Sequence, residues 1–523
     1  MTTGPRMRRC RSSAKWKFAL AILCVRAASP ASDDVETIIQ VVSRTSQQAV
    51  GRASLDLRGA GEQTRHLEAD ANGQVKLRLV PGKRYYLEAA RPDFVKSPVI
   101  VLVPADGAPP FVVRLTPVAS ISGAVHDPEG IPLAGVDVRV LRRIYSRGRP
   151  SLEYVDRTTT EADGEFKFAT LVPGTYYVRA LYRNNRTDRS GEGYGLAFYP
   201  NAPDPESAAP LVVSAGARTA GIDMILARGP LAVIRGHVVR WEDRSPIPGS
   251  SLALYPMGYE TGGLDYWGAR SERSNERGAF AFVNVIPGSY FLVAQEFRGA
   301  WVGVEVTDRA PDVVVYVGRQ AQLEGHVTWK DVPTGADRPA HVEAGLDPVE
   351  FSQAARPRSS IDPAGAFRLS GLGAGLYTLV LTGLPSDAFV ESATYGQQEL
   401  DGLTIRYDPA APAHLDLVLS CAGATLSARV AAADGQPAYA PLVTLIPDSG
   451  RPADYRAEQA DETGVAHISG IRPGTYKVMA WSSIVSGGYR NAGYMKPYES
   501  KAVAVVLGKG ETKALELVAV EGQ

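Results

Sequence analysis

Cysteine is nearly absent from this chain, with three residues in 523, and two of them, Cys10 and Cys24, fall within the first 31 residues. Loss of that segment leaves Cys421 alone, so no internal disulfide framework is available and each folded unit must be held by its own core. At a strand end, after Asp416-Leu-Val-Leu-Ser420, Cys421 reads as a small buried hydrophobe. An excess charge of one sign is also lacking. Lys+Arg and Asp+Glu both number 56, which excludes the basic field of a nucleic-acid binder. No apolar stretch approaches the length of a membrane-spanning helix. Histidine is scarce, at seven residues with no cluster, and no Gly-x-Ser-x-Gly elbow occurs.

Glycine (52) and proline (37) are plentiful without a collagen-like period, and 45% of residues are hydrophobic. That mixture suits many short strands joined by turns. The N-terminus carries a different signal. Arg6, Arg8, Arg9, Arg11, Lys15 and Lys17 precede an apolar run from Phe18 to Val25, and Ser29 and Ala31 stand where cleavage before Ser32 would need small residues. Residues 1–31 are therefore expected to be a signal peptide, and the mature chain to be secreted, periplasmic or on the cell surface, with no transmembrane helix.

A twelve-residue interval recurs five times: Gly73/Tyr85, Gly164/Tyr176, Gly278/Tyr290, Gly365/Tyr377 and Gly464/Tyr476. Residues two and four after each Gly are apolar, as in Phe166/Phe168 and Phe280/Phe282, while Glu165 and Lys167 point the other way. That alternation marks a strand with one wet face. An acid or Asn stands three residues before each Gly (Asp70, Glu161, Asn275, Asp362, Asp461), suited to bonding backbone across a turn in which Gly takes a positive φ. The Tyr opens the next strand, where its ring can be buried and its hydroxyl returned to the backbone. Successive motif tyrosines lie 91, 114, 87 and 99 residues apart, the length of a seven-stranded sandwich each. The chain is thus predicted to be all-β, a tandem array of about five β-sandwich modules over 34–116, 117–228, 229–319, 320–421 and 422–523.

The text Gly123-Ala-Val125, Ile131-Pro-Leu-Ala-Gly-Val136, Asp163-Gly-Glu-Phe166 and Val172-Pro-Gly-Thr-Tyr176 resembles the bacterial carboxypeptidase regulatory-like domain, of transthyretin-like fold. Ile471-Arg-Pro-Gly-Thr-Tyr476 repeats it in the fifth copy. The resemblance implies non-catalytic, extracytoplasmic modules. It also brings in related starch-binding-like folds, and with them carbohydrate binding by analogy.

Candidate chemistry is sparse. His126, Glu129 and His237 have the look of a zinc set, but the repeat places His126 and His237 in the opening strands of different modules. Neither catalytic residues, cofactor nor metal is expected. No Lys lies between Lys167 and Lys330, so Lys–Asn crosslinks cannot run through the array. The candidates for ligand contact are aromatics outside the repeat, above all Tyr259, Tyr266 and Trp267. Tyr194, Phe198 and Tyr199 form a second group, and Trp481, Tyr489, Tyr494 and Tyr498 a third. Flat rings beside polar groups suit sugar stacking or protein contact. The sequence therefore points to a structural or adhesive scaffold acting by spacing its modules, with a surface protein or a polysaccharide as partner. The alternative is a carbohydrate-binding protein using those rings.

Overall fold

The computed structural model describes residues 34–522 except 60, 104–110, 183–190, 257–269, 296–299, 308–311, 318–320, 334–340, 350–354, 409–410, 434–437 and 462. The strands fall into five similar sets. In the third, the opening strand Ala232–Arg240 runs antiparallel to Ala279–Val285, which follows the turn Gly, and parallel to Val313–Val317. The same arrangement surrounds Val35–Ser43, Ala119–His126, Ala321–Lys330 and Ala424–Ala431. The second layer is built on the strand that begins near the repeat Tyr. Gly288–Ala294 pairs with Ser251–Pro256 on one side and Trp301–Val306 on the other. Between the layers lie hydrophobic cores spanning 39–115, 119–226, 232–317, 323–419 and 424–517. The chain is an all-β tandem array of sandwich modules. The fifth departs in one respect. Its last strand, Thr512–Glu521, pairs first with Ala424–Ala431 and then with the end of Gly474–Ser483, joining both layers into one sheet.

The repeat residues do the local work expected of them. All five turn glycines have φ between 70° and 96°. Asp70, Asn275 and Asp461 each accept two backbone N–H bonds through one side-chain oxygen, and Asp362 accepts one. Glu161 differs: in that turn Asp163 takes the N–H of Glu165 instead. Four motif tyrosines donate to the carbonyl four residues upstream: Tyr176 to Val172, Tyr290 to Ile286, Tyr377 to Gly373 and Tyr476 to Arg472. Tyr85 instead accepts from the N–H of Val80, five residues upstream. Its turn Gly, Gly82, lies three rather than two residues before the Tyr, so the loop is one residue longer.

A second pairing was not visible as such in the pattern. Gly123, Gly236 and Gly325 lie directly across from Phe166, Phe280 and Phe367. A Cβ at any of the three would overlap backbone of the facing parallel chain, and at Gly236 or Gly325 the ring as well. In the fifth module the same pair is Ala428 and Ala466. Small residue and large ring exchange volume across the pair.

The expectation of a wet outer face holds for Glu165 and Lys167, and the Tyr strand in modules two, three and five differs from that strand. There the outward residues are buried too: Tyr177 clusters with Leu141, Leu152 and Phe198 in module two, Phe291 with Val293 in module three, and Met479 and Trp481 with Met495 in module five. Nor do the modules stand apart as spacers. Arg451 and Arg472 of the fifth both donate to the Glu391 carbonyl of the fourth, and Lys509 pairs with Asp331. The ring of Tyr86, in the first module, lies 5.5 Å from that of Tyr439 in the fifth. Each contact satisfies a donor or covers a ring that an extended array would leave in water.

Candidate functional site

The residues named for ligand contact, Tyr259, Tyr266 and Trp267, lie outside the described residues, as does the expected leader over 1–31. The other two aromatic groups are packed. Phe198 is fully buried, and Tyr194 meets Tyr182 edge to face at 5.1 Å with its hydroxyl toward Asp127. Trp481 is buried, donates to the Thr444 hydroxyl at 2.9 Å, and stacks edge to face on Tyr498 at 5.1 Å. These rings serve their own modules. His126 and His237 sit in the opening strands of modules two and three. Among the described residues no group of three or more His, Cys, Asp and Glu side chains converges. Cys421 is buried, and burial raises its thiol pKa.

Two excursions from the repeat meet, one from module two and one from module five. In module two the second and third strands, Val136–Ser146 and Arg149–Thr159, run on into a long hairpin turned at Arg147 and Gly148. Module five alone inserts residues 484–501, built of two short 3-10 turns and the α-helix Ala492–Met495. The hairpin tip is seated on that insert. The Tyr145 N–H donates to the Ser486 carbonyl at 2.8 Å, and the Asn491 side chain donates to the Gly148 carbonyl at 2.8 Å. Asn491 also caps the helix, its Oδ1 accepting from the Tyr494 N–H at 2.9 Å, so one side chain orders the insert and holds the hairpin. The rings of Tyr145 and Tyr494 lie 5.5 Å apart. Gly487 has φ 69°, and any Cβ there would overlap the Tyr145 carbonyl. Arg147 at the tip feels the charges of both Asp347, in module four, and Arg490, in module five. Burial, and after it the Tyr439 hydroxyl, holds the Tyr86 phenol above its ordinary range at the other seam.

Arg490 ties the insert to the rest of module five. Its guanidinium lies 5.4 Å from the ring centres of both Tyr455 and Tyr489 and donates to the Pro452 and Tyr455 carbonyls. The turn it grips, Pro452–Asp454, brings Asp454 into the lining of a cleft of about 450 Å³. An exposed aromatic pair stands elsewhere, in module three. Trp241 and Tyr316, 36% and 41% exposed, meet edge to face at 5.2 Å, with the Arg244 guanidinium 4.3 Å from the Tyr316 ring centre. None of Asn491, Gly487, Asp454 or Trp241 was singled out by the sequence. The available signal was that residues 484–501, between the last Tyr strand and the strand after it, depart from the repeat.

Residues 120–195 match the family model of the carboxypeptidase regulatory-like domain. No curated protein matches the chain. Solved structures similar to it include a streptococcal ancillary pilin, at 11% identity over 55% of this chain and 99% of that one, with a TM-score of 0.22. A minor pilin of Streptococcus agalactiae matches at 12% identity over 38% and 97%, with a TM-score of 0.23. Two B repeat units of the collagen-binding protein of Staphylococcus aureus match at 10% identity over 74% and 100%, with a TM-score of 0.14.

Proposed function

We propose that this chain is a non-enzymatic, extracytoplasmic scaffold of five modules, bounded near residues 117, 229, 320 and 422, with a structural or adhesive role. The observation that carries the reading is the seating of the module-two hairpin on the module-five insert. These two excursions join modules, which is what a scaffold needs and what a catalytic centre does not. The repeat itself is likewise engaged in structure, each motif Tyr hydroxyl bonding the backbone of its own turn. The role follows from shape: a fixed arrangement of modules presents their loops in set directions, in place of a flexible row. Carbohydrate binding is the second reading, favoured by the exposed Trp241–Tyr316 pair, whose faces suit sugar or protein contact.

Fractionation of cells expressing the full chain, with N-terminal sequencing of the product, tests the location. The expected product begins at Ser32 and lies outside the cytoplasm. An intact chain beginning at Met1 and confined to the cytoplasm would refute the extracytoplasmic reading.

A further inference from the structure

The cleft of about 450 Å³ in module five is lined by Pro447, Asp448, Arg451, Asp454, Arg472 and Pro473, among others. That volume lies within the range of small-molecule sites, about 300–1,000 Å³. Asp454 is only 7% exposed, and among the described residues its carboxylate makes neither a hydrogen bond nor an ion pair. Burial raises its carboxyl pKa, opposed by Arg451, Arg472 and Arg456. Arg451 leaves a second group unmet. Its Nε and Nη1 donate to the Asp401 and Glu391 carbonyls of module four, while Nη2 is buried with no partner. Arg472 donates to the same Glu391 carbonyl at 2.6 Å, so both guanidinium groups are fixed by the neighbouring module.

The lining decides the chemistry of the ligand. Two carboxylates and two guanidinium groups balance, so an anion would face Asp448 and Asp454, and a cation would face Arg451 and Arg472. A neutral group that both donates and accepts meets neither penalty, and a hydroxyl does both. Pro447 and Pro473 add apolar surface on which the C–H face of a ring can rest. We propose that this cleft binds a neutral sugar, with Asp454 accepting from a hydroxyl of the ligand. The proposal does not depend on the scaffold reading.

The test is calorimetric titration of the mature chain with glucose, galactose, mannose and N-acetylglucosamine, with inorganic phosphate and lysine as charged controls. At least one sugar should bind. Asp454→Asn and Asp454→Ala should each weaken it by about tenfold or more, the loss of one charged, buried hydrogen bond. The near-isosteric Asn variant, checked by its melting curve, guards against a folding defect. Absence of binding by every sugar overturns the proposal. So does sugar binding that survives both Asp454 substitutions, or Asp454-dependent binding of phosphate or lysine in place of sugar.

Discussion

At the scale of single residues, the structure turns on small side chains placed where a larger one has no room. Gly123 faces Phe166 and the Ile222 carbonyl, whereas the equivalent Ala428 faces Ala466. Gly123→Ala is therefore expected to destabilise module two by about 1–3 kcal/mol, the usual cost of overpacking a closed core. Thermal denaturation reads this directly, and an unchanged melting temperature would contradict the Gly–Phe account. Asp454 supplies a prediction of pH dependence. Its folded-state pKa is raised, so between the unfolded and folded values the native state binds the extra proton, and stability falls as pH rises through that window. Asp454→Asn should raise the melting temperature at neutral pH, and the gain should vanish below the ordinary carboxylate range. Equal effects at both pH values would mean that the carboxylate is not the source. The turn glycines, their acids and the motif tyrosines were legible because each repeats five times in fixed register. Asp454, Asn491 and Gly487 were not, because each occurs in one module and draws its meaning from a contact distant in sequence.

At the scale of elements, the repeat describes the framework and the excursions describe the joints. The strand before each Pro-Gly connection and the strand after it were readable from alternation alone, since one face of each is apolar. The outer face of the Tyr strand was not legible, because the residues that pack on it lie outside the repeat, at Phe198 in module two and within 484–501 in module five. The hairpin seat is small, with two hydrogen bonds and one ring pair at its centre, so it depends on fit. Gly487→Val should expel the hairpin, because the added carbon overlaps the Tyr145 carbonyl and a β-branched residue is strained at φ 69°. Limited proteolysis should then cut between Ser146 and Arg149 in the variant and spare that bond region in the wild type. Equal protection in both would show that the hairpin is not seated there.

At the scale of the whole molecule, contacts run between successive modules and also from the fifth back to the first and second. Tyr86 meets Tyr439, Tyr145 meets Tyr494, and Arg451 and Arg472 grip module four. Five modules were legible from the spacing of the tyrosines, but their mutual packing was not. A repeat encodes what the modules have in common, whereas closure depends on what each has alone. The expected action by spacing is accordingly replaced by a closed body with module five at its centre. Small-angle scattering of the mature wild-type chain beside Gly487→Val tests this most directly. The account predicts a wild-type radius of gyration under ~35 Å, towards the ~23 Å of a single compact body of this length, and a larger value for the variant. A wild-type value near ~50 Å, as for five modules laid end to end, would contradict it.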